Sequence, residues 1–138
     1  MRMMEKSTDI EFLFPKEPYM DHLVHVPGEE PFSENALAYL DGLAHCLIND
    51  PRAKNYPEVV TFAFFCRKGN LLQLKKKYLH ENSLRLGRGL VFHITPSNMP
   101  VTFAYSLVFG IISGNVNIVK VPSEKYTQAA IILSLIHI

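Results

Sequence analysis

At 138 residues the chain has room for one ordinary domain, and its 48% apolar and 20% charged content belongs to a folded globular protein rather than a disordered one. A net charge of +1 gives no electrostatic reason to expect nucleic acid or an acidic membrane as partner. The two cysteines, Cys46 and Cys66, have no C-x-x-C or histidine spacing around them, which argues against a disulfide scaffold or a metal site and for reduced, buried thiols in a cytoplasmic protein.

The N-terminus, Met1-Arg2-Met3-Met4-Glu5-Lys6, leads into a polar segment with Asp9 and Glu11 and has no apolar h-region, so no secretory signal is expected. Pro15, Pro18, Pro27 and Pro31 then interrupt a stretch without sustained period, which predicts an extended or irregular arm. Ser33 offers an N-cap to a helix whose apolar positions, Leu37, Leu40, Leu43, Ala44, Leu47 and Ile48, recur at helical spacing. Asn49-Asp50-Pro51 stops it, because proline cannot continue a helix. A second helical region begins at Pro57, a residue suited to a first turn. Val60, Ala63, Phe64, Leu71, Leu74 and Tyr78 mark its expected apolar face, and Gly69-Asn70 its expected break. Lys75-Lys76-Lys77 at its end is read as a solvated face that complements the helix dipole, not as a phosphate site.

From Leu86 the character changes. Gly87-Arg88-Gly89 opens the run Leu90-Val91-Phe92-His93-Ile94, apolar on both faces apart from the histidine, as in a strand covered on both sides of a parallel sheet. Val101 to Ser113 predicts a helix that is apolar nearly all round and therefore buried. With Pro100 as its first residue, Met99 is the expected cap. Gly114 fits a left-handed C-terminal cap, and Asn117 to Val121 a second strand. Strand, helix and strand make a βαβ unit with an expected right-handed crossover. Gly89 to Val119 contains no Asp, Glu, Lys or Arg, but Pro96 to Pro100 and Gly114-Asn115 divide it. The pieces are shorter than the roughly 18–20 residues a bilayer requires, so no membrane span is expected. His93 is read as neutral and hydrogen-bonded within the sheet.

A dinucleotide fingerprint would place G-x-G-x-x-G after the first strand. Here Gly87 and Gly89 precede it, and the following turn carries proline and asparagine. Phe92-His93-Ile94-Thr95-Pro96-Ser97-Asn98-Met99-Pro100 resembles instead the P-x-N-x-P turn of aldehyde dehydrogenases. Gly114-Asn115-Val116-Asn117-Ile118-Val119-Lys120-Val121-Pro122-Ser123 resembles their G-N-x-x-x-x-K segment, and the interval between the two also matches. The whole stretch from Leu86 to Glu124 is most similar to long-chain acyl-CoA reductases of the bioluminescence fatty-acid reductase type within that superfamily. Tyr56 to Tyr78 resembles the same branch less distinctively.

The resemblance implies an α/β fold: an incomplete, aldehyde-dehydrogenase-like Rossmann-type cofactor domain preceded by a helical N-terminal region. The expected division is 1–85 for arm and helices, 86–132 for the first βαβ unit, and 133–138 for a tail. Leu133 to Ile138 reads as the in-frame translation of a widely used transposon sequencing adapter, so the coding sequence is expected to end near Ile132. On this reading the chain is an N-terminal fragment, inactive alone, of a reductase that converts a fatty acyl thioester, on CoA or a protein, to an aldehyde. The resemblance implies that Asn98 donates its amide to the oxyanion and that Lys120 contacts the adenosine ribose. Read from the residues alone, Asn98 equally serves the turn or caps the helix. Ser123 occupies the position that tunes cofactor choice, with Glu124 one beyond, which favours NADPH over NADH. The family's cysteine nucleophile lies in a further domain; Cys46 and Cys66, upstream on helices, are rejected for that role. The resemblance also implies a homo-oligomer and acyl-transfer partner proteins. The rival readings are an aldehyde dehydrogenase running oxidatively and a non-catalytic scaffold module.

Overall fold

In the computed structural model, which describes residues 10–16 and 20–137, regular structure begins with a single helical turn, α1 (Met20–Leu23). The readings made of Met1 to Asp9, of Pro18 and of Ile138 lie outside the described residues. The Ser33 hydroxyl accepts the Ala36 amide at 3.2 Å and caps α2 (Glu34–Asn49), as its sequence predicts. The helix buries Ala36, Leu37, Leu40, Leu43, Ala44 and Leu47 on one stripe and ends at Asp50, ahead of Pro51. A 3-10 turn (Ala53–Asn55) leads to α3 (Pro57–Phe65), with Pro57 in its first turn.

The break between α3 and α4 (Lys68–Tyr78) falls at Cys66-Arg67, not at Gly69-Asn70, which lie inside α4. The cause is tertiary. Asp41 on α2 accepts the Lys68 amide at 2.7 Å and so supplies the N-terminal acceptor of α4 from another helix. Asn70 donates to the Phe65 carbonyl at 2.8 Å and satisfies the end of α3. The buried face also differs from the expected one. Val59, Phe62, Ala63 and Cys66 are buried, whereas Phe64 is exposed beneath the Arg67 guanidinium and Tyr78 is exposed beside Lys77.

Strand β1 (Leu90–Ile94) pairs in parallel with β2 (Val116–Lys120), with Leu90 opposite Val116 and Ile94 opposite Lys120. Helix α5 (Thr102–Ile112) forms the crossover, and Gly114 follows it at φ 79°. A side chain at Gly114 would meet the Glu29 carbonyl at 2.0 Å, so the position needs both the left-handed backbone and the absent Cβ. The expected cap moves: Val101 precedes the first helical residue, Thr102, and Pro100 lies outside the helix.

The expectation of a strand covered on both sides is corrected. Val91 and His93 lie against α5, but Leu90, Phe92 and Ile94 are exposed, Phe92 at 60% and Ile94 at 74%. The only helix crossing between the strands covers one face of the ladder, so alternate residues of an apolar strand are left bare. Helix α5 is likewise buried on most of its circumference but presents Phe109 outward, half exposed. Helix α6 (Thr127–Leu135) returns over α2 and α3, burying Ala129, Ile131 and Ile132. Its contacts include Gln128 donating to Glu58 at 2.6 Å and the Tyr39 hydroxyl donating to the Ile136 carbonyl. The buried side chains of α2 to α6 form one hydrophobic core.

The end of the arm, Glu29 to Phe32, is tied to the βαβ unit. The Glu29 amide donates to the Gly114 carbonyl at 2.8 Å, the Gly87 amide to the Glu29 carbonyl at 2.9 Å, and the Phe32 amide to the Ile112 carbonyl at 2.7 Å. Within the uncharged stretch from Gly89 to Val119, the backbone forms β1, an 11-residue helix and β2. Among the described residues no helix is long and apolar enough to cross a membrane.

Candidate functional site at the carboxyl edge of the sheet

Parallel pairing brings the carboxyl ends of β1 and β2 to one edge, the side on which open α/β sheets bind ligands. Thr95, the residue after β1, is 9% exposed, and its hydroxyl donates to the Lys120 carbonyl at 3.2 Å. This bond extends the strand ladder by one side chain and ties the two departing loops together at their roots.

From that root the first loop turns at Ser97-Asn98 and enters α5. Asn98 is exposed, and α5 has no side-chain cap hydrogen bond, so the asparagine does not cap the helix. Lys120 is the last residue of β2 and is exposed. Ser123 and Glu124 follow in the loop to α6, both exposed. The Tyr126 hydroxyl donates to the Glu124 carboxylate at 2.7 Å, and this bond raises the phenol above its ordinary value. The four candidate residues therefore lie at one sheet edge, Lys120 at the end of β2 and the other three in the two loops that leave it.

The cysteines lie elsewhere. Cys66 is fully buried at the end of α3, and burial pushes its thiol up to about 12. A thiol held protonated is neither nucleophile nor metal ligand. Its contribution to stability is complete below the unfolded-state value near 9.0 and is lost as pH rises towards 12. At mildly alkaline pH iodoacetamide should alkylate Cys66 no faster than the protein unfolds; rapid stoichiometric labelling of the folded protein would contradict the burial. Cys46 lies on α2 and is half-buried.

A cavity of about 420 Å³ is lined by Phe32, Leu74, Tyr78, Leu86, Phe109 and Ile112 among others. It opens beside the end of α5 and the residues before β1, at the amino edge of the sheet, opposite the candidate loops.

Two polar residues inside the βαβ unit were not singled out from sequence. The His93 ring contacts Ser106 on α5 at 2.8 Å through Nδ1 and Asn117 on β2 at 2.9 Å through Nε2. The signal was present: Asn117 in an otherwise apolar strand and Gly110 in an apolar helix are both local misfits. A Cβ at Gly110 would lie 1.9 Å from Asn117 Oδ1 and 2.9 Å from His93 Nε2. The missing side chain is the space that the polar pair occupies.

A search of curated proteins and a search of solved structures gave no match. The family model described as acyl-CoA reductase (LuxC) matches residues 53–138, more than half of the chain and the whole segment from the 3-10 turn through α6. On that match the chain belongs to the acyl-CoA reductase (LuxC) family.

Proposed function

We propose that this chain is the N-terminal part of a longer NADPH-dependent reductase that converts a fatty acyl thioester to an aldehyde through a cysteine thioester. The family match supports the reaction class. The observation that carries the site is the parallel register, which sends the Asn98 turn and Lys120 out from the same edge.

The residues fit one end of a nicotinamide nucleotide. The exposed Lys120 ammonium and Ser123 hydroxyl are donors suited to ribose hydroxyls and a 2′-phosphate. They do not fit its diphosphate, because the turn after β1 lacks the glycines that let a backbone approach phosphate closely. The diphosphate is held by residues outside this constellation. When bound, the nucleotide supplies the hydride that reduces the acyl group.

The chain's own part in the chemistry is electrostatic. When a cysteine thiolate adds to the acyl carbonyl, the oxygen gains negative charge before the carrier thiolate leaves. The Asn98 amide, carried on the turn after β1, donates to that oxyanion. On this reading the nucleophile is supplied from outside this chain, since burial holds Cys66 protonated.

Cofactor choice rests on Ser123 and Glu124. Tyr126 holds the Glu124 carboxylate in its own loop, and the uncharged Ser123 is the residue that the resemblance aligns with the ribose 2′-substituent. Ser123→Asp should cut the preference for NADPH over NADH by roughly tenfold or more, through repulsion of the 2′-phosphate. Comparing kcat/KM for the two cofactors checks this; an unchanged ratio would remove Ser123 from the site.

The deciding experiment expresses the complete reading frame and supplies a long-chain acyl-CoA with NADPH. One aldehyde and one free CoA per NADPH oxidised is the expected result. NAD-dependent oxidation of aldehyde to free acid, with no reduction of acyl-CoA, would replace the reductase with a dehydrogenase.

A further inference from the structure

The helix–sheet interface behind the candidate site is apolar except at one point. His93 on β1 reaches Ser106 on α5 with one ring nitrogen and Asn117 on β2 with the other. The Asn117 amide nitrogen is already committed, donating to the Asn115 carbonyl at 2.8 Å. Asn117 therefore presents its oxygen to the ring, and Nε2 carries the hydrogen. Asn115 continues the chain by accepting the Arg88 amide at 2.7 Å, just ahead of β1. The polar path thus runs from α5 through β1 and β2 back to the entry of β1, and Gly110 leaves the space for it.

Apolar packing is non-directional and lets a helix slide along a sheet at small cost. A ring with two directional partners does not. The tie lies two residues before Thr95 and five before Asn98 on one side, and three before Lys120 on the other. We propose that His93 is a positioning residue for the reductase reaction. By locking β1, α5 and β2 in one relative placement, it sets where the Asn98 amide and the Lys120 ammonium stand with respect to each other. This rests on the roles given to those two residues above.

The test uses the complete reductase with three substitutions, His93→Leu, Ser106→Ala and His93→Gln, each assayed per folded active site. His93→Leu should raise KM for the nicotinamide cofactor and lower kcat, each by about tenfold, because loosened placement of reacting groups is costly. Ser106→Ala should shift both in the same sense by less. His93→Gln, which keeps an N–H within reach of Asn117, should recover most of the loss. A purely structural role would reduce the amount of folded enzyme and leave both constants of the survivors unchanged. Folded variants within about twofold of the parent in KM and kcat would overturn the proposal. If His93→Leu does not fold, the other two variants decide by the same criterion; failure of all three to fold would make the trio a stability element only and also overturn it. An inert Asn98→Ala beside a raised cofactor KM in His93→Leu would sink the oxyanion assignment while leaving the positioning of Lys120 intact.

Discussion

Asn98→Ala in the complete reductase should lower kcat by roughly 10²–10³-fold and leave KM for the acyl thioester nearly unchanged. An oxyanion donor works only as charge develops, so its loss appears in kcat and kcat/KM together and not in ground-state binding. The substitution is a clean probe because Asn98 is exposed and does not cap α5, so no helix terminus is lost with it. The thermal midpoint should therefore stay where it is. Steady-state kinetics with purified protein decides the matter, and a fall in kcat of less than about threefold would count against the assignment.

Gly110→Ala should strongly destabilise the βαβ unit. The new Cβ would sit 1.9 Å from Asn117 Oδ1 and 2.6 Å from its Cγ, well inside contact distance. Asn117 cannot swing away without breaking its bonds to His93 and to the Asn115 carbonyl. Either α5 lifts off the sheet or a partly buried polar pair is left unmatched, and the expected loss is about 2–4 kcal/mol. A denaturation midpoint measured on the complete enzyme checks it. A variant as stable as the parent would mean that α5 does not approach the sheet this closely.

Much of this was legible in the sequence because local signals and tertiary packing agree there. Ser33, Pro57 and Gly114 act at the ends of elements, where a cap, a fixed φ or a left-handed residue is decided within a few neighbours. The break after α3 was misplaced because its cause is Asp41, distant in sequence, rather than the adjacent glycine. The strand was expected to be covered on both faces because its residues are apolar on both, yet composition does not say which neighbours are present to cover them. At the candidate site, the motifs P-x-N-x-P and G-N-x-x-x-x-K located the residues, and the parallel register placed their loops on one edge. The role of Thr95 in joining those loops was not visible, since a threonine after a strand has no signature that distinguishes it from any other.

The stitching of Glu29 between Gly87 and Gly114 gives the molecule an order of opening. The amides of Glu29, Phe32 and Gly87 are locked to carbonyls whose residues are remote along the chain. None can exchange its hydrogen with solvent by fraying alone. The Glu29 and Phe32 amides are released when the end of α5 parts from the arm, so slow deuterium uptake at Glu29 reports on the integrity of the crossover helix.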